Sequence, residues 1–122
     1  MGDGRISVID VSSRKVVETI DAGARGPNRL KFTPDGKLAL VSEIGGGGVL
    51  VLDTATRSVK KRVPLGRGAS GILIPPDGGR AYVALTGSNA IAVIDLATLA
   101  EVARFQTGPG PDGMAWLPAR RN

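Results

Sequence analysis

Apolar and polar residues alternate along this chain in short runs that never settle into a helical period. Leu30-Lys31-Phe32 and Ile72-Leu73-Ile74 each lead into a proline-containing turn, and Leu38 to Ser42 and Ala81 to Leu85 follow it. Glycine-rich stretches, Gly45 to Gly48 and Gly87 to Ala90, then interrupt the pattern before Val49 to Leu52 and Ile91 to Ile94 resume it. A further run closes each unit, over Val16 to Ile20, Val59 to Val63 and Val102 to Gln106. Short runs rich in β-branched side chains and bounded by Gly, Pro, Asp and Asn predict strands joined by tight turns.

The runs recur at a fixed interval. Val8-Ile9-Asp10, Val51-Leu52-Asp53 and Val93-Ile94-Asp95 are one triplet in three copies, with 43 positions from Asp10 to Asp53 and 42 from Asp53 to Asp95. Pro34-Asp35-Gly36 returns 42 positions on as Pro76-Asp77-Gly78, and Pro118 lies another 42 on. The extra residue of the first interval fits an insertion near Ala24, in a loop. Four strands in about 42 residues is the size of a β-propeller blade. The predicted fold is therefore all-β: blades of four antiparallel strands, with an incomplete ring in one chain. Residues 1–23 supply the third and fourth strands of a partial blade, 24–66 and 67–108 are whole blades, and 109–122 supply the first strand of the next. That last strand is expected at Met114 to Leu117, with its hairpin partner beginning at Arg120-Arg121-Asn122.

Composition narrows the chemistry. The 122 residues contain no Cys and no His. This removes thiolate and imidazole metal sites, cysteine nucleophiles and every triad with a histidine base. No metal, cofactor or catalytic residue is predicted. The net charge of +5 is compatible with anionic partners, but the four aromatics, Phe32, Tyr82, Phe105 and Trp116, are not interleaved with the basic residues. A nucleic-acid stacking platform is not expected. No apolar stretch approaches the ~20 residues of a membrane span, and no signal-peptide core follows Met1.

The loops that precede each first strand offer the candidate ligand site. Across the repeats they align Arg25 with Arg67, and Asn28 with Ser70 and Asp112. First strands line the channel of a propeller, so these groups would ring a channel mouth able to hold an anion, a sugar or a hydrated cation. Ordinary turn chemistry in a Gly-Pro-rich loop is the competing reading. Asp10, Asp53 and Asp95 occupy one place in every blade and read as turn caps. Gly45 to Gly48 lacks the Lys-Ser/Thr ending of a phosphate loop and reads as a hairpin tip. The charged fourth strands read as outer edges guarded against strand addition.

The Pro-Asp-Gly turn, Tyr82-Val83-Ala84-Leu85, the Ser88-Asn89 tip, and Val93-Ile94-Asp95 with Thr98 together resemble the YVTN β-propeller repeat family over nearly the whole chain. Leu40-Val41-Ser42-Glu43 replaces the tetrapeptide in the other copy. The resemblance implies an exported or cell-surface repeat protein of a prokaryote, with a role in binding or scaffolding. Related propellers include lactone-hydrolysing and haem-carrying enzymes. The expected function is thus a non-enzymatic binding or scaffolding module; a fragment of a propeller enzyme and a lectin-like module are the alternatives. Neither end of the array looks capped, as soluble repeat arrays require. Ile6 and Val8 at one end and Met114, Trp116 and Leu117 at the other are expected to meet a second copy, in a dimer, or the missing blades of a longer chain.

Overall fold

The computed structural model describes residues 4–118. Its elements are β1 (Arg5–Asp10), β2 (Lys15–Asp21), β3 (Pro27–Phe32), β4 (Leu38–Glu43), β5 (Gly48–Asp53), β6 (Ser58–Pro64), β7 (Ala69–Leu73), β8 (Arg80–Leu85), β9 (Ala90–Asp95) and β10 (Ala100–Gln106), with one 3-10 turn at Thr86–Ser88. They form three antiparallel sheets: sheet A, β1-β2; sheet B, β3-β4-β5-β6; and sheet C, β7-β8-β9-β10. Chain order and spatial order coincide, as the hairpin turns require. Four-stranded meanders stacked in sequence are the arrangement of partial propeller blades, and the ring is not closed. No helix among the described residues is long and apolar enough to cross a membrane.

The stacking follows from the side-chain alternation. In β5, Val49 and Val51 enter the core between sheets B and C, beside Leu40, Val63, Ile72, Val83 and Ile94. Leu50 and Leu52 point the other way, into the core between sheets A and B, beside Ala39 and Val41. A sheet covered on both faces needs apolar residues at both phases of the alternation, which is why β4 and β5 read as continuous apolar runs. The fourth strands lie outermost and stay exposed except at one or two positions.

The turns repeat as faithfully as the strands. Gly36 and Gly78 close the two Pro-Asp-Gly turns at φ 72° and 69°, a region closed to most side chains. The turn between third and fourth strands places Arg14, Arg57 and Leu99 at φ 56°, 54° and 57°. The preceding aspartates cap it: Asp10 accepts from the Ser13 N–H, Asp53 from Ala55 and Thr56, and Asp95 from Ala97 and Thr98. The Thr56 N–H lowers the Asp53 pKa below its ordinary value, and Ser13 does the same to Asp10. The pairing of third with fourth strand also carries a bulge at the same place in each sheet, next to Ile9, Leu52 and Ile94.

One predicted strand is absent. Residues 111–118 run beside sheet C without ladder pairing. A first strand bonds only to a second, and the expected second strand at Arg120-Arg121-Asn122 lies outside the described residues. The segment is held instead by backbone packing. The Asp112 carbonyl occupies the space that a side chain on Gly71 would fill, and the Thr86 hydroxyl donates to Pro111 O at 2.6 Å.

Candidate functional site

The loop entering each sheet and the tip between its second and third strands open on the same end of the sheet, and they bond to one another. Gly26 O accepts from Ile44 N–H at 2.9 Å, and Gly68 O accepts from Thr86 N–H at 2.9 Å, the same bond one repeat apart. This end carries all five predicted site residues. Arg25 and Arg67 are exposed, each on the entry loop of its own sheet. Arg67 lies against Gly87 and Arg25 against Gly46. Asn28 is half-buried and accepts from the Arg29 guanidinium at 3.1 Å. Asp112 is exposed on the segment over Gly71.

Ser70 is committed elsewhere. It is 3% exposed, lies 2.7 Å from the Thr86 hydroxyl and reaches Ala84 O at 3.3 Å. Thr86 gives its proton to Pro111 O, so the Ser70 proton stays within this trio. Ser70 therefore ties the 111–118 segment to sheet C and presents no free donor at the surface.

The strongest polar feature at this end is one that the sequence reading passed over. Glu43 is 2% exposed, yet both carboxylate oxygens are bonded. Arg62 reaches them at 2.8 and 3.0 Å, and the Arg25 N–H reaches one at 2.6 Å. Arg62 extends onward to Ala22 O and Gly23 O, at 3.3 and 2.8 Å, in the connection that leads out of sheet A. Its repeat mate Arg104 does the same one sheet later, bonding Leu65 O and the Glu101 carboxylate, whose hydrogen bonds raise the Arg104 pKa. Fourth-strand arginines read as edge charges are thus clasps between successive sheets. The available signal was Glu43 itself, an acid at the repeat position that Leu85 fills in sheet C. Among the described residues, no group of three or more acidic side chains is placed to hold a metal ion.

The predicted contact residues divide between two places. Ile6 packs on the core between sheets A and B, and Val8, on the same phase of β1, is half-buried. Both face inward; Ile9, on the opposite phase, is the outward residue, 59% exposed. Met114 and Trp116 share a cleft with Leu73, Tyr82, Ile91 and Phe105 of sheet C, while Leu117 is 82% exposed. Between sheet A and β3 lies an apolar cleft of about 370 Å³, lined by Ile6, Val8, Ile20, Leu30, Phe32 and Leu52 among others.

No family model matches the chain, and no curated protein matches it. Solved structures do. Hydrazine synthase of Kuenenia stuttgartiensis is similar over 90% of this chain and 32% of that one, at 32% identity and a TM-score of 0.84. A functionally unknown protein from Desulfotomaculum acetoxidans is similar over 75% of this chain and 31% of that one, at 25% identity and a TM-score of 0.67. The chain spans about a third of the length of each. The first likeness overturns the expectation of a non-enzymatic class of module, because a 32% identical arc of the same shape lies within an enzyme.

Proposed function

We propose that the chain is a YVTN-like propeller arc serving a binding or scaffolding role, completed by association with further sheets of the same kind, a second copy first among them. The arc comprises the unit boundaries near residues 23, 66 and 108, and its entry loops face the mouth of the completed ring. Arg25, Arg67, Asn28 and Asp112 then stand at that mouth, with Ser70 holding the loop behind them.

The observation that carries this reading is the cleft beside β3. Phe32 is 62% exposed and Leu30 38%, whereas Ile72, the repeat mate of Leu30, is 4% exposed and Ile74, the mate of Phe32, is half-buried. The difference is the floor beneath them. Sheet B offers four strands for β7 to rest on, and sheet A offers two, so β3 overhangs the place of two inner strands. Covering such a face removes apolar area worth roughly 25 cal/mol per Å² from water.

The likeness to hydrazine synthase favours a second reading, in which the arc is one part of a larger propeller-bearing enzyme. With no His or Cys in the chain, any imidazole or thiolate chemistry would come from outside the arc. Light scattering on a sizing column separates the two. One species at an integral multiple of 12.5 kDa, stable on dilution, is expected for self-completion. A folded species at 12.5 kDa would remove both the ring and its mouth and leave the second reading.

A further inference from the structure

Three stacked sheets of one repeat serve as controls for one another, because a position buried under a neighbouring sheet and exposed without one marks an open face. Ile9 on the outer side of sheet A is 59% exposed, while its repeat mates Leu52 and Ile94 are 4% and 0% exposed. Phe105 on the outer side of sheet C is 50% exposed, while its mate Val63, covered by sheet C, is 4% exposed. The Ile9 face is therefore the equivalent of the faces on which sheets B and C receive their predecessors. The Phe105 face is the equivalent of the face that sheet B presents to sheet C. The two open faces are thus the two halves of a contact that the molecule already makes internally.

Resting on the self-completion reading above, we propose that copies of this chain join head to tail, the Phe105 face of one seated on the Ile9 face of the next. Such a contact is heterologous, and it forms a closed ring when its rotation closes. It repeats the rotation between sheets B and C, so it continues the existing arc rather than starting a new geometry.

The repeat also assigns a polar pair at the junction. Between sheets A and B, the Arg57 guanidinium donates to the Glu18 carboxylate at 2.6 Å. In the next register, Arg14 takes the place of Arg57, and Ala103 takes the place of Glu18. Arg14 of one copy therefore faces Ala103 of the other. Both residues are exposed in the single chain, so substitutions there leave its core untouched.

The test is a dilution series followed by light scattering on the wild type and on Ala103→Glu, Ala103→Arg and Ala103→Arg with Arg14→Glu. An exposed charge pair shifts the dissociation constant by up to about fivefold per contact. Ala103→Glu is expected to tighten association by that factor and Ala103→Arg to weaken it, with Arg14→Glu restoring the weakened variant. A wild type that stays monomeric overturns the self-completion reading itself. An oligomer indifferent to all three changes overturns the head-to-tail faces while self-association stands.

Discussion

Arg62→Ala tests whether the Glu43 clasp stabilises the arc. The substitution removes both bonds to the Glu43 carboxylate, at 2.8 and 3.0 Å, and both bonds to Ala22 O and Gly23 O. It leaves a carboxylate whose side chain is 3% exposed with one donor, the Arg25 N–H. Breaking a fully buried ion pair by removing one partner costs about 3–5 kcal/mol. The Arg62 side chain is 44% exposed, so water reaches part of the gap, and about 2–3 kcal/mol is the better expectation. In urea, with a slope of about 1–3 kcal/mol per M for small proteins, the midpoint should fall by about 0.7–3 M. The pair is asymmetric. Glu43→Leu, which copies Leu85 of the next sheet, leaves Arg62 largely solvated and forfeits mainly the Arg25 N–H bond, about 1 kcal/mol. Adding Glu43→Leu to Arg62→Ala should therefore recover more than half of the loss. Equal costs for the two single variants, or a cost below about 0.5 kcal/mol for Arg62→Ala, would refute the argument that an unpaired buried charge drives the effect.

Two further outcomes follow from named contacts. Gly71→Ala places a methyl group where the Asp112 carbonyl sits, so residues 111–118 should lift from sheet C; the single Trp116 reports this as a red-shifted emission with the sheet signal in circular dichroism unchanged. Asp10, Asp35 and Asp53 all have pKa values lowered from 3.8 by hydrogen bonds to their turns. A depressed carboxylate contributes stability that is full above its unfolded value and lost as pH falls through the folded one. Tm should thus be flat above about pH 5 and fall below about pH 4, and Asp53→Asn should lower the plateau while blunting the fall.

The repeat made most of the fold legible. Strand phase, the Pro-Asp-Gly turns and the capping aspartates are local features, each set by a few adjacent residues, and a 42-residue period shows them more than once. Bulges were not legible, because they depend on how two strands register across a turn rather than on either strand alone. The strand expected at Met114 to Leu117 has the right alternation but forms no ladder among the described residues, since alternation sets the faces of a strand and pairing needs a neighbour.

At the candidate site, the sequence placed Arg25, Asn28, Arg67, Ser70 and Asp112 at one end through their alignment. It could not say that Ser70 turns inward to Thr86, nor that Arg62 leaves the outer strand to reach Glu43 and the loop of another sheet. Those contacts span 16 to 40 positions: the first two need the strands of one sheet to pair, and the bonds to Ala22 O and Gly23 O exist only once the sheets stack. Alternation alone determined that each strand has two faces. Only the stacking decided which faces are covered: Leu52 and Ile9 hold the same position of the same motif, and Leu52 is buried because sheet A lies against it while Ile9 stays 59% exposed.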